Sequence, residues 1–174
     1  MFIRGEKVFI RPVTISDLEP AYKWLNDEEV IGLIGFIPPP SSEFVQRWIE
    51  GGMGKDNSQR HFAIIDRTDP VGFIGVRGIN WQSKNAELWI FIGEKTKWGK
   101  GLGKDAVKTL TKFAFYELGL YRLWVEVFEF NVAAIKMFMK SGFIKEGVWR
   151  RSYFHKGEYH NSMLLGILRE ELPC

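Results

Sequence analysis

Gly99, Gly101 and Gly103 alternate with Lys100, Leu102 and Lys104 directly after Trp98, and this spacing suits the binding of a phosphorylated ligand. Alternate glycines let a backbone approach a ligand closely. A strand-like segment, Ala86 to Gly93, precedes the run, and an amphipathic helix from about Gly101 to Gly119 follows it. The unpaired N–H groups of that helix's first turn would face the same point as the loop, and such groups attract phosphate oxygens. Two familiar phosphate loops are excluded. A Walker loop needs glycine at Trp98 and a magnesium-holding hydroxyl at Asp105. The dinucleotide fingerprint needs glycine at Lys104, and no βαβ unit with a ribose-binding acid follows in register.

The elements around the loop read as one α+β domain spanning residues 1–174. In the helix after the loop, Leu102, Ala106, Leu110, Ala114 and Leu118 recur every four residues and form an apolar stripe with Phe113. Lys100, Lys104, Lys108 and Lys112 repeat on the opposite side as a solvated face; the first two sit on the first turn, where they could meet phosphate charge as well. Upstream, Lys7 to Arg11 alternates like a half-buried strand, and Ser16 or Asp17 caps a helix reaching about Asn26. Ile31 to Ile37 is apolar and broken by glycine, and three prolines end it. A second helix spans about Ser42 to Glu50, followed by a small polar loop to Gln59. His61 to Ile65 and Val71 to Val76 form a hairpin around Asp66–Pro70, and a turn near Gln82–Asn85 leads into the strand before the glycine loop. Arg122 to Val127 is the next strand; an asparagine-led helix over 132–140 and two final strands complete the chain.

Composition narrows the function classes. Hydrophobic residues at 45% and charged residues at 26% describe a folded globular protein. A net charge of +3 is too small to argue for nucleic acid. No apolar run approaches the ~20 residues that span a bilayer, and the first residues lack the basic and apolar regions of a signal peptide. A cytoplasmic protein with neither nucleic-acid nor membrane partner is therefore expected. Cys174, the single cysteine, forms no disulfide framework and sits where a nucleophile seldom has a base or pocket. His61, His155 and His160 lack metal-ligand spacing, so no metal is expected and all three are assigned to solvated surface.

The order of these segments resembles the GNAT superfamily of acyl-CoA N-acetyltransferases. Within it, the chain is most similar to the RimJ/RimL branch, which acetylates ribosomal-protein N-termini and, in relatives, spermidine. The resemblance rests on the glycine loop, the strand at Arg122–Val127, the Asn131–Phe143 segment ending in Gly-Phe, Glu146-Gly147 and Gly157-Glu158-Tyr159-His160. It runs from Ile10-Arg11-Pro12 to Leu165–Arg169. The resemblance implies a mostly antiparallel sheet of about seven strands, splayed between the fourth and fifth, with about four helices. Acetyl-CoA would place its pantetheine arm in the splay as an added strand. The backbone around Phe91 and Ile92 would pair with that arm, one N–H polarising the thioester carbonyl. The loop from Trp98 through Gly99, Lys100, Gly101, Leu102, Gly103 and Lys104 would hold the pyrophosphate. Trp98 replaces the family's usual Gln or Arg, which removes one side-chain contact and leaves every backbone donor. Asn131 matches the asparagine that bonds the pantetheine arm, and it is equally suited to be a plain helix cap.

The acceptor implied is a primary amine, as a protein N-terminus, a polyamine or another small amine, attacking directly in a ternary complex. A polyamine nitrogen of pKa about 10.4 is only ~0.1% neutral at about pH 7.4, a cost of about 4 kcal/mol, so a base is needed. Glu87 matches a glutamate of the polyamine-acetylating relatives and would serve directly or through one water. Many relatives carry a tyrosine acid at the position of Phe138, beside the sulfur; phenylalanine cannot protonate it, and Tyr153 or Tyr159 would supply the phenol instead. The serine of the ribosomal-protein enzymes falls at Ala134, which counts against that activity. A second copy of the chain is a further candidate partner. Two other classes stand beside the enzyme: a non-catalytic acyl-CoA-binding or sensing module, motivated by Phe138 and Trp98, and a peptide-binding module using the open sheet.

Overall fold

The computed structural model describes residues 2–35, 39–52 and 57–172, so Cys174, Ile37 and part of the polar loop lie outside it. Eight strands form one sheet in the order β1-β2-β3-β4-β5-β6-β8-β7. They are β1 (Ile3–Arg4), β2 (Phe9–Pro12), β3 (Arg60–Asp66), β4 (Asp69–Asn80), β5 (Asn85–Ile92), β6 (Arg122–Phe128), β7 (Ile144–His155) and β8 (Glu158–Leu168). Every neighbouring pair is antiparallel except β5 and β6. Five α-helices flank the sheet: α1 (Leu18–Leu25), α2 (Glu28–Ile34), α3 (Ser42–Glu50), α4 (Leu102–Tyr116) and α5 (Val132–Met139).

Side-chain alternation along the central strands sends apolar residues to both faces. On one face Ile74, Val76, Leu88, Val125 and Val127 pack against the α4 stripe of Leu102, Ala106, Leu110 and Ala114. On the other, Ala63, Ile65, Phe73 and Phe91 pack against Ala21, Trp24 and Leu25 of α1 and Val45 and Ile49 of α3.

The count of eight strands and five helices exceeds the expected seven and four. β1 has two residues, too short for any alternation to show. α2 overlaps the start of the glycine-broken apolar stretch from Ile31, where Gly32 interrupts the helical pattern. Its ends are nonetheless well made. Asp27 accepts from the N–H groups of Glu29 and Val30, and Gly35 closes the helix at φ 74°, a left-handed conformation that favours glycine.

The histidines also differ from expectation. His61 is 4% exposed rather than solvated. β3 is buried on both faces, so burial extends to the one polar residue in its run. His155 and His160 are half-buried beside Phe130, with ring centroids 5.6 and 5.2 Å away.

Candidate active site

β5 and β6 pair only at Asn85↔Arg122, Ala86↔Leu123 and Glu87↔Trp124. Beyond these residues β5 continues along β4 to Ile92↔Gly72, and β6 along β8 to Phe128↔Ser162. The inner edges from Leu88 and from Val125 therefore face one another without a shared ladder. Open strand edges present unpaired N–H and C=O groups, which a ligand with amides can join. A cavity of about 310 Å³ occupies this place, and its walls include Leu88, Trp89, Ile90 and Phe91 on one side and Val125 to Phe128 on the other.

At the far end of β5, Glu94 caps a short turn over Lys95–Lys97, and the chain enters the glycine loop. Trp98 donates its indole N–H to the Ile92 carbonyl at 2.7 Å, so it ties the loop to the strand end. Gly99 and Gly101 have φ 72° and 80°. Gly101 is the N-cap of α4 and brings no side-chain acceptor, leaving the amides of Leu102, Gly103 and Lys104 outward from the first turn. A Cβ at Gly99 would meet nothing within 4 Å, so that flank of the loop is open. These features fit a pyrophosphate. Gly103 has another role as well: a Cβ there would lie 3.3 Å from the Met137 sulfur, so glycine lets α5 pack against α4.

Several other cavity residues lie on the face of α1, α2 and α3. The Glu87 carboxylate is held by Arg77 through both oxygens, Nε to Oε2 at 2.7 Å and Nη2 to Oε1 at 2.6 Å. That pairing holds the Arg77 guanidinium above its ordinary pKa, with burial opposing. Register puts Trp124, Glu126 and Phe128 on the same sheet face as Glu87, Trp89 and Phe91. His61 also lines the cavity, between Trp48 and Trp89 at centroid distances of 5.1 and 5.0 Å. Burial pushes its imidazole down to about 4, against a hydrogen bond to the Trp48 backbone and with the Arg77 charge adding to the fall. It is neutral near pH 7. Leu33 and Ile34 of α2 complete this wall.

The residues singled out from the sequence are only partly assembled here. Phe91, Asn131 and Phe138 line the cavity together with Glu87. Asn131 caps α5 by accepting from the Ala134 N–H at 3.1 Å and donates to the Leu33 carbonyl at 3.4 Å, so both readings of it coexist. Phe138 is 2% exposed and packs on Phe143. Tyr153 stacks on Phe128 at 3.9 Å, outside the cavity lining, with a buried hydroxyl that has no partner among the described residues; burial raises its pKa. Tyr159 is 65% exposed, packs on Phe154 and stands outside the cavity. Arg77, Glu126, Trp48 and His61 are the wall residues that sequence reasoning does not assign, because their meeting depends on strand register. Among the described residues no group of three or more His, Cys, Asp or Glu side chains is placed to hold a metal. No described helix is long and apolar enough to cross a membrane.

The family described as the acetyltransferase (GNAT) domain matches residues 7–144. The chain belongs to the GNAT acetyltransferase family. Spermidine N(1)-acetyltransferase of Escherichia coli K12 is 31% identical over 170 residues, spanning 96% of this chain and 89% of that protein. A prophage-derived N-acetyltransferase of Bacillus subtilis, YokL, is 28% identical over 167 residues, spanning 96% and 93%. In fold, the Vibrio cholerae spermidine N-acetyltransferase solved with CoA and spermine superposes with a TM-score of 0.89 over 96% of this chain and 98% of that one, at 21% identity. This GNAT protein is an N-acetyltransferase, and acetyl-CoA is its co-substrate. The parted strands are the GNAT splay, with β1 displacing the expected strand count by one.

Proposed function

We propose that the protein moves the acetyl group of acetyl-CoA to a primary amine of a small cationic molecule, a polyamine above all, by direct attack in a ternary complex. The observation that carries this reading is the cavity at the splay, where carboxylates and aromatic rings share one wall. Aromatic faces and carboxylates favour an ammonium-bearing chain with an apolar spacer. The spermidine-acetylating relative from E. coli supports the same acceptor class. RimJ/RimL-like placement and a cytoplasmic location form part of the proposal.

Acetyl-CoA supplies an acetyl group already activated as a thioester. The inner edge of β5 beyond Glu87, apart from the Ile92 carbonyl that Trp98 occupies, and the loop amides from Gly99 to Lys104 would hold it, with Phe91, Asn131 and Phe138 beside the arm. Glu87, fixed by Arg77, keeps free lone pairs with which to receive the amine proton directly or through a water. The amine nitrogen bonds to the acetyl carbon as the C–S bond breaks. With no tyrosine among the described residues of the cavity wall, the thiolate leaves without a phenol; a thiol pKa of about 8.5 makes that tolerable.

Thiol release from acetyl-CoA, measured against spermidine, spermine, putrescine, benzylamine and a peptide with a free N-terminus, tests the reading. Polyamines should give the highest kcat/KM. Preference for the peptide would replace the acceptor, and no amine-dependent release with acetyl-CoA bound would remove the activity.

A further inference from the structure

Four titratable side chains line the cavity: His61, Arg77, Glu87 and Glu126. Arg77 and Glu87 cancel within their two-pronged pair. His61 is neutral near pH 7, because burial holds it at about 4. One charge is left over, and it belongs to Glu126.

Glu126 has no hydrogen bond or ion pair among the described residues, although the Arg77 and Glu126 charges feel each other. Across β8 it faces Leu164, with Ser162 and Gly166 to either side, and none of the three titrates. On β6 it stands two residues past Trp124, where pairing with β5 stops, so it projects beside the open gap on the Glu87 side. It is half-buried. A partly buried carboxylate with no partner costs desolvation and returns nothing to the fold, unless a cation joins it. Phe128 and Trp89 stand in the same wall, and their ring faces add to the pull on a cation.

We propose that Glu126 is the specificity-determining residue for the acceptor: it pairs with an ammonium group of a di- or polycationic amine while a second, neutral nitrogen of the same molecule reacts. This assignment rests on the amine-transfer reading above and adds the charge class of the acceptor to it. Glu87 does not fill this role as well, since Arg77 holds both its oxygens and its remaining lone pairs serve the reacting nitrogen. The anchor acts equally in ground state and transition state, so it governs KM rather than kcat.

The test compares wild type, Glu126→Gln and Glu126→Asp. Calorimetry measures spermine binding to the protein–coenzyme A complex, at low and high salt. Initial rates are measured with spermidine and with benzylamine, which has no second cation. Glu126→Gln should weaken spermine binding at least tenfold, reduce its salt dependence, and raise KM for spermidine with kcat little changed. KM for benzylamine and affinity for coenzyme A should hold, and Glu126→Asp should recover part of the loss. Spermidine turnover with an unaltered KM in Glu126→Gln overturns the inference and leaves the amine-transfer reading standing. So does an equal loss for benzylamine, which marks a structural role. Wild-type protein that neither binds spermine nor acetylates spermidine overturns both.

Discussion

The Asp105 carboxylate accepts the backbone N–H of Lys7 at 2.7 Å across 98 positions of sequence. It also accepts those of Glu6 and Val8 at 3.1 and 2.9 Å, so the first turn of α4 holds the turn before β2 in place. The Lys7 ammonium then donates to the Lys100 carbonyl at 3.0 Å, beside the glycine loop. An N-terminal residue thereby adds positive charge to a phosphate site built far later in the chain.

Asp105→Ala should destabilise the fold by about 1–3 kcal/mol, since three backbone donors lose a charged acceptor. Lys7→Gln should instead leave denaturant stability near wild type. It should weaken acetyl-CoA a few-fold at low salt and less at high salt, as a screened surface charge requires. Titration calorimetry at two salt concentrations, with urea unfolding, separates the two effects.

Gly101→Val should weaken acetyl-CoA binding tenfold or more, about 1.4 kcal/mol, because φ of 80° strains any β-branched residue. Gly103→Val reports on something else. Its side chain would press on Met137, so loss of melting temperature should accompany any loss of affinity. Unchanged affinity in a folded Gly101→Val protein would remove the phosphates from this loop.

Glu87→Gln should lower kcat/KM most at low pH and for amines of high pKa, with acetyl-CoA affinity unmoved. The pH–rate profile is the readout. A profile of unaltered shape would reassign the Arg77–Glu87 pair to structure.

Phe138→Tyr places a phenol at a position that is 2% exposed. If sulfur departure limits turnover, rates should rise by a few-fold to about a hundredfold. Loss of acetyl-CoA binding would show instead that the site has no room for a hydroxyl.

His61 makes stability depend on pH. Its folded pKa of about 4 lies below the unfolded value of 6.5, so the unfolded chain binds more protons between those values. The contribution is fully present above about pH 6.5 and is lost as pH falls towards 4, on the order of 3 kcal/mol in all. His61→Phe, which keeps an aromatic ring against Trp48 and Trp89, should flatten urea-unfolding stability across that window.

Local pattern makes part of this site legible in the sequence. The four-residue repeat of α4 and the glycines that precede it are contiguous, so their spacing carries the phosphate reading directly. Arg77 and Glu87 meet because β4 pairs with β5 at that register, and Glu126 joins them through a parallel pairing three residues long. No local periodicity encodes either. The burial of His61 is hidden because alternation fails in a strand buried on both sides. α2 is hidden because a single internal glycine breaks a seven-residue pattern.

The parting of β5 and β6 has a consequence for any occupant. Residues from both faces of the sheet line the gap: Leu88, Ile90, Val125 and Val127 look towards α4, while Trp89, Phe91, Glu126 and Phe128 stand on the opposite face. The gap is thus one cavity with two linings. Towards α4 it offers aliphatic side chains, and on the opposite face rings and a carboxylate, so a chain lying across the sheet there changes from dry to polar company within a strand's thickness.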